Sequence, residues 1–490
     1  MSTNPLLIGA SGHPIAIVPR MANRHGLIAG ATGTGKTITL QVLAQAFSDM
    51  GVPVFVPDIK GDFSGISAPG TESERLIERA RRVGIESLEL YGAPTVFWDI
   101  FGEHGHPWRL TIADFGPVLL SRLLNLNDTQ TGLMQLIFRV ADDKGWLLLD
   151  LKDLRAMLAW VNDNRRDLTG QYGNVAPASI GAIQRSLLTL ESQGGESFFG
   201  EPAVTLEDFL QTDAAGKGVV NILHAERLYR NGPLVYSTLL LWLLSELFEQ
   251  LPEVGDPEKP RFVLFFDEAH LLFKDTSRSL TDRIEQVVRL IRSKGVGVYF
   301  ITQNPTDLPE SVLGQLGNRV QHALRAFTPR DQRAVRVAAQ TFRANPALDT
   351  ATVITELGVG EALVSVLDEK GRPTPVERTL IRPPSSRMGP LSNEERHQVV
   401  ATSVLAGVYD EVVDRESAYE ILKSQAEAAL AEEHQPETRP QKAAPKARKT
   451  ARRGDSVLAA TAKSTARSIG TQIGRQIVRG LLGSLTGRRR

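Results

Sequence analysis

Residues 30–37 read Gly-Ala-Thr-Gly-Thr-Gly-Lys-Thr and match the pattern Gly-x-x-x-x-Gly-Lys-Thr. The apolar segment Gly26–Ala29 precedes them and predicts a buried strand, and residues 38–50 carry apolar side chains at helical spacing. A glycine-rich turn between a strand and a helix constrains the fold strongly, because it presents backbone amides at a helix N-terminus within an α/β unit. The pattern therefore predicts a phosphate-binding loop rather than an ordinary glycine-rich turn.

The residue types of this loop predict a nucleoside triphosphate with magnesium, and we expect ATP and Mg²⁺ as cofactors. The glycines let backbone N–H groups converge on phosphates, and Lys36 adds a positive charge for the β- and γ-phosphates. The hydroxyl of Thr37 is a predicted Mg²⁺ ligand. The predicted nucleotide-binding residues are Gly30, Ala31, Thr32, Gly33, Thr34, Gly35, Lys36 and Thr37.

Two acids, Asp267 and Glu268, follow a second apolar segment, Phe262–Phe266. In a phosphate-loop enzyme Asp267 would hold Mg²⁺, directly or through water. Glu268 would act as the catalytic acid that orients and polarises the attacking water. The alternative is a buried strand whose two terminal acids are merely exposed.

Gln303 ends a third apolar segment, residues 298–302. It can reach the γ-phosphate or the lytic water if its strand lies between the two motif strands; otherwise it caps a turn. An arginine from a neighbouring subunit often completes such sites. Arg319 is the preferred candidate for this arginine finger, and the others are Arg289, Arg292 and Arg325.

The remaining pattern predicts an α/β core that is interrupted by an all-helical domain. Strands alternate with helices in residues 1–69 and 216–385, which favours a mostly parallel sheet covered on both faces. Helical spacing dominates residues 70–215, the predicted insertion. We expect further helices in 391–434, a disordered basic linker in 435–454 and a basic amphipathic tail in 455–490.

The charges of the 490 residues balance, but the C-terminal segment is strongly basic. Residues 438–490 contain 14 Lys and Arg and a single acid, Asp455. Ile469, Ile473 and Ile477 step by four residues, so this tail could form a helix that binds an anionic membrane, DNA phosphates, a partner protein or another subunit. A solvated, partly disordered tail is the remaining alternative.

Composition excludes disulfides and thiolate metal sites, because the chain has no cysteine. We see no signal peptide, and no apolar run reaches the ~20 residues of a membrane-spanning helix. We therefore expect a cytoplasmic protein, with a peripheral position at the inner face of the membrane as a second possibility.

Together these motifs resemble the HerA–FtsK superfamily, and within it the bacterial HerA-helicase-like ATPases of the YjgR type. The resemblance rests on residues 30–37, Pro57–Asp62, 266–270 and 301–304, and it extends over residues ~5–385. It implies a RecA-like core with an additional strand, homo-oligomeric (hexameric) rings, and nucleotide at subunit interfaces. Within the family pattern, Lys36 and Thr37 bind phosphate and Mg²⁺, Asp267 binds Mg²⁺, Glu268 is catalytic and Gln303 is a sensor.

Three functions remain open on this basis. The first is an ATP-hydrolysing motor that acts on double-stranded DNA as a translocase or helicase-like protein. The second is a membrane-associated assembly or secretion ATPase, and the third is an ATP-dependent scaffold without motor activity. Glu268 argues against the scaffold, because a scaffold does not require a hydrolytic acid.

Overall fold

The computed structural model describes residues 5–273 and 278–433. The chain divides into two compact units, each built from two separate segments. The first unit combines Met1–Arg109 with Pro202–Val412, and the second combines Leu110–Glu201 with Val413–Arg490. The predicted linker 435–454 and tail 455–490 lie outside the described residues.

In its described part, the first unit contains a twelve-stranded sheet. The strands are β1 (Leu6–Ala10), β2 (Pro14–Ile17), β3 (Gly26–Ala29), β4 (Val54–Asp58), β5 (Thr95–Asp99), β6 (His106–Pro107), β7 (Val220–His224), β8 (Phe262–Phe266), β9 (Val296–Thr302), β10 (Asn318–Gln321), β11 (Glu361–Ser365) and β12 (Glu377–Ile381). Their order is β2-β1-β12-β11-β10-β3-β9-β8-β4-β7-β5-β6.

The strands from β10 to β6 in this order are parallel, and the four on the other side pair antiparallel. The expected mostly parallel sheet is therefore confirmed. Strand β9 lies between β3 and β8, with Ala29 beside Thr302 and Phe266 beside Phe300. This is the additional strand that separates the two motif strands.

Helices cover the sheet of the first unit and make up most of the second. In the first unit they are α1 (Lys36–Asp49), α2 (Glu74–Arg82), α9 (Leu206–Phe209), α10 (Glu226–Asn231), α11 (Pro233–Gln250), α12 (Arg278–Leu290), α13 (Glu310–Leu313), α14 (Pro329–Gln340), α15 (Thr350–Glu356) and α16 (Asn393–Ala401). In the second unit they are α3 (Ile112–Leu123), α4 (Asp128–Lys144), α5 (Leu151–Asp163), α6 (Arg165–Tyr172), α7 (Pro177–Ser192), α8 (Gly195–Phe198) and α17 (Ala418–Glu433). Across the described residues, we find no helix with the length and apolarity needed to span a membrane.

The core beneath the phosphate loop is aromatic. Phe47 of α1 packs against Phe265 of β8 and Tyr299 of β9, with ring centroids 5.3–6.4 Å apart. All three side chains are fully buried. Burying each contributes roughly 1.5–3 kcal/mol, so α1 is held firmly on the strands that carry the motifs.

The helical unit is narrower than the predicted insertion 70–215. Residues 74–82 form α2 and residues 95–99 form β5, and both belong to the first unit. Strand β5 pairs in parallel with β7, and the buried indole N–H of Trp98 donates to Asn221 Oδ1 at 3.1 Å. These contacts incorporate the segment into the sheet, so the helical unit begins at Leu110.

The predicted block 391–434 is also divided. Helix α16 belongs to the first unit, whereas α17 packs against α5 in the second. The buried carboxylate of Asp153 on α5 accepts hydrogen bonds from the Ser417 hydroxyl and the Tyr419 amide. This polar contact joins helices that are about 260 residues apart in the sequence.

Candidate nucleotide-binding site

The phosphate loop lies between β3 and α1 and takes a backbone conformation that requires glycine. Gly30, Gly33 and Gly35 have φ values of 150°, 77° and 114°. A side chain at Gly30 would also place its Cβ 2.6 Å from the Cβ of His322. The glycines of the motif are therefore needed for the turn itself and for its close packing on β10.

Neighbouring strands hold this loop in place. The Gly30 amide donates to Thr302 O at 3.3 Å, and the Ala31 amide donates to Ala323 O at 2.8 Å. On its far side, Thr34 O accepts from the Gly360 amide at 3.0 Å. The loop is thus connected to the ends of β9 and β10 and to the turn before β11, and these contacts constrain its conformation.

Lys36 and Thr37 begin α1. The Lys36 amine donates to Gly30 O at 2.6 Å and to Ala31 O at 2.9 Å, so it lies against the loop. Burial, followed by the nearby charge of Lys60, lowers the pKa of Lys36, while Asp267 and Glu268 oppose this shift. The ammonium is therefore placed within the electrostatic reach of both predicted acids.

Lys36, Thr37 and Asp267 line one cleft at the carboxyl ends of β3, β8 and β4. Ligands of open α/β sheets bind at this edge. Burial, and next the charge of Glu268, raises the pKa of Asp267 to about 7. A carboxylate that is costly to bury without a counter-charge is suited to receive a cation.

Glu268 is 7% exposed and sits in the left-handed backbone region, with φ 49° and ψ 48°. For a residue with a side chain this conformation costs on the order of 1–3 kcal/mol, and it is concentrated at functional sites. Oε1 accepts from Gln303 Nε2 at 3.1 Å, and Oε2 lies 3.3 Å from His270 Nδ1. Buried Oε2 accepts no hydrogen bond from the described residues, so this oxygen lacks the partner that a buried carboxylate oxygen normally has.

Gln303 is expected to reach the site if its strand lies between the two motif strands, and β9 does lie between them. Its side chain is exposed at the strand end and contacts Glu268 directly. The structure therefore brings Lys36, Thr37, Asp267, Glu268 and Gln303 to the same edge of the sheet. Their catalytic roles remain predictions.

Arg319 is placed differently from the other predicted residues. It lies on β10, and its guanidinium donates to Leu313 O, Leu316 O and Thr341 O of its own chain at 2.7–2.9 Å. These contacts indicate a structural role within its own subunit. Arg325, which follows β10, is exposed and is better placed to reach a neighbouring molecule; the identity of the finger stays a prediction.

The sequence motifs assign no role to two further residues of the site, His322 and Lys60. His322, which follows β10, is fully buried beside the loop; its Nε2 contacts Thr39 Oγ1 at 2.9 Å and its Nδ1 contacts Glu361 O at 3.0 Å. Lys60 follows β4 and lines the same cleft as Lys36. In the sequence, Lys60 is distinguished only by its position within the Pro57–Asp62 segment.

The residues present fit a magnesium–triphosphate. The glycine turn keeps side chains away from the loop amides, and Thr37 and Asp267 offer oxygen ligands in one cleft. The described residues contain no group of three or more acidic or histidine side chains that could hold a metal by themselves. Mg²⁺ typically takes one or two protein ligands and completes its shell with phosphate and water, which matches this donor set.

Comparisons with known proteins agree with this geometry. The family model described as helicase HerA-like C-terminal matches residues 5–490. The DNA double-strand break repair helicase HerA of Sulfurisphaera tokodaii is 22% identical over 351 residues, 70% of this chain and 62% of that protein. The HerA of Saccharolobus solfataricus is 23% identical, over 70% and 61%. The chain thus spans about three fifths of the length of these curated relatives.

Solved structures support the fold. The bacterial conjugative coupling protein TrwBdeltaN70 superposes with a TM-score of 0.51 at 15% identity, covering 76% of this chain and 88% of that one. TrwB in complex with ADP and Mg²⁺ gives 0.50 at 15% identity, covering 79% and 93%. The expected RecA-like P-loop core is confirmed, and with a family model that matches nearly the whole sequence, the chain belongs to the helicase HerA-like C-terminal family.

Proposed function

We propose that this protein is a Mg²⁺-dependent ATPase and a motor of the HerA/FtsK type that acts on DNA. The observation that carries the proposal is the pair Glu268 and Gln303 beside the phosphate loop. A nucleotide-binding scaffold needs Lys36 and Thr37, but it does not need a buried carboxylate with one oxygen left without a hydrogen bond.

In this mechanism each residue has one task. The loop amides and Lys36 bind the phosphates, and Thr37 and Asp267 hold Mg²⁺, which neutralises charge on the phosphate oxygens when bound. Glu268 Oε2 accepts a hydrogen bond from the attacking water and orients it. Gln303 keeps Glu268 in position through the 3.1 Å hydrogen bond to Oε1, so water activation depends on both side chains.

The action on DNA rests on the relatives and on charge. The HerA proteins of Sulfurisphaera tokodaii and Saccharolobus solfataricus are both named as DNA double-strand break repair helicases, and residues 438–490 of this chain are strongly basic. Lys and Arg that neutralise phosphates supply most of the sequence-independent affinity for DNA. We further propose a homo-oligomer, a hexameric ring, in which an arginine of a neighbouring subunit completes the site.

ATP turnover by the full chain tests this function, measured with and without double-stranded DNA. We expect Glu268→Gln to lower kcat about 10²- to 10⁴-fold with ATP binding retained, since it removes only the water-orienting carboxylate. Lys36→Ala should lose binding as well. Glu310→Gln, an exposed site at the start of α13, is the matched control and should behave as wild type.

Each outcome separates the candidate functions. Turnover that no nucleic acid stimulates would contradict the DNA motor. Stimulation by vesicles of anionic lipid, lost on deletion of residues 455–490, would support the membrane-associated assembly ATPase instead. ATP binding without turnover in the wild type would favour the scaffold.

A further inference from the structure

The loop after β4 brings Lys60 into the nucleotide cleft. Asp58, the last residue of β4, is 3% exposed. Its Oδ1 accepts from the Gly61 amide at 2.8 Å and its Oδ2 from the Phe63 amide at 3.2 Å. Gly61 has a φ of 73°. Asp58 thus closes a tight turn around Lys60, and the position of the Lys60 backbone is determined by a buried carboxylate.

Arg396 of α16 and the residues that it contacts also support this turn. Burial, and next the charge of Asp62, raises the pKa of Asp58 to about 6, and the charge of Arg396 on α16 opposes this shift. The Arg396 guanidinium also contacts His224 Nδ1 at 3.1 Å and lies over the ring of Phe97, 5.1 Å from its centroid. The turn that carries Lys60 is therefore built on the sheet through charged and aromatic contacts, unlike an ordinary surface loop.

The charge balance of the cleft calls for a cation at this position. Three carboxylates line the cleft, those of Asp58, Asp62 and Asp267, and Glu268 adjoins it. Among the described residues, the lining contains two cations, Lys36 and Lys60. A triphosphate brings about four more negative charges, which Mg²⁺ and Lys36 neutralise only in part.

The position of Lys60 also indicates which phosphate it meets. Lys36 and Thr37, at the start of α1, line the cleft together with Asp267. Thr37 and Asp267 would hold Mg²⁺, which would neutralise charge on the phosphate oxygens. Lys60 lines the cleft together with Lys36, the cation for the β- and γ-phosphates, and with Asp267, and its charge acts on both. In the described residues the Lys60 side chain has no ion-pair partner to hold it elsewhere.

We propose that Lys60 is a second phosphate-binding cation of the site, which contacts the γ-phosphate and makes the protein prefer the triphosphate over the diphosphate. The proposal rests on the ATPase function proposed above. It assigns a role to a residue outside the Gly30–Thr37 motif, and it predicts a selective effect on nucleotide affinity.

Calorimetric titration of the full chain with AMPPNP and with ADP, each with Mg²⁺, tests the proposal. We expect Lys60→Ala to weaken AMPPNP binding about 10- to 100-fold, as for loss of a charge-assisted hydrogen bond, and ADP binding less than about threefold. Lys60→Arg keeps the charge and should retain most of the preference. Lys370→Ala, an exposed lysine in the turn between β11 and β12, is the matched control.

The possible results are distinct. Equal affinities of Lys60→Ala and wild type for AMPPNP, or equal weakening of AMPPNP and ADP, would overturn the role of Lys60. A changed Mg²⁺ requirement with an unchanged nucleotide preference would show Lys60 to be only a counter-ion of Asp267, and would also overturn it. Failure of the wild type to bind either nucleotide would instead refute the proposed function. Thermal melting of each variant verifies that it folds.

Discussion

His322 provides a quantitative test of how the phosphate loop is supported. Its imidazole is fully buried, and Glu361 O can only accept, so Nδ1 carries the proton and Nε2 accepts from the Thr39 hydroxyl. The substitution His322→Leu keeps a similar volume and removes both hydrogen bonds. Two buried groups, the Thr39 hydroxyl and the Glu361 carbonyl, then lose their partner.

The cost follows from these two groups. A buried polar group without a partner costs roughly 1–3 kcal/mol, so His322→Leu should lower the free energy of unfolding by about 2–6 kcal/mol at pH 7.5. Adding Thr39→Val removes the orphaned hydroxyl as well. The double variant should therefore be more stable than His322→Leu alone. Two independent substitutions would instead add their losses.

The pH dependence gives a second, independent magnitude. Burial lowers the pKa of His322 from 6.5 to about 4. Below pH 6.5 this histidine binds a proton in the unfolded chain but stays neutral in the folded protein. Its contribution to the free energy of unfolding is therefore fully present above pH 6.5 and is lost as the pH falls toward 4. Between pH 7.5 and 5.0 the wild type should lose about 2 kcal/mol through this group. The His322→Leu variant has no such group. The difference in the free energy of unfolding between wild type and variant should therefore be about 2 kcal/mol smaller at pH 5.0 than at pH 7.5.

Urea unfolding at pH 7.5 and 5.0 measures both quantities, with the fluorescence of the buried Trp98 and Trp108 as the signal. His397→Leu, at an exposed histidine on α16, is the control and should match wild type. A His322→Leu protein as stable as wild type at pH 7.5 would refute the hydrogen-bond argument. If His322→Leu were less stable than wild type by the same free energy at both pH values, the conclusion that the buried imidazole is neutral would be refuted.

Three further predictions concern other parts of the molecule. Arg319→Ala should lower the melting temperature, because three carbonyls lose their donor; lost hydrolysis with unchanged melting would instead support the finger role. Gly30→Ala should abolish nucleotide binding, since its Cβ would lie 2.6 Å from that of His322; a calorimetric titration with normal ATP affinity would contradict this. Asp153→Ala should reduce stability by roughly 2–5 kcal/mol, because amides including that of Tyr419 lose a buried acceptor; chemical unfolding with no such loss would show that the contact between α5 and α17 is dispensable.

Local patterns are sufficient to predict much of the nucleotide site. The phosphate loop, and Asp267 with Glu268, each follow a short apolar strand, and a strand that is buried on both faces reads as a continuous apolar run. Because the carboxyl ends of parallel strands share one sheet edge, these residues are expected to meet without knowledge of the strand order. The structure places them together at that edge.

Non-local contacts determine the rest. Whether Gln303 reaches Glu268 depends on β9 lying beside β8, which no local pattern specifies. Thr95–Asp99 is an apolar segment preceded by Pro94, a usable strand signal, yet only its pairing with β7 distinguishes it from the helical region that follows. Lys60 and His322 are single polar residues whose roles depend on neighbours distant in the sequence.

The position of β3 has a consequence for how this protein is made on the ribosome. Its two partners, β9 and β10, begin at residues 296 and 318, so both edges of β3 remain unpaired until most of the chain has been translated. At roughly 5–20 residues per second this interval lasts on the order of 15–60 s. Unpaired apolar strand edges are prone to aggregation, so the nascent chain should need chaperone protection during this interval, and truncated products that end before Gln321 should be unable to assemble the phosphate loop.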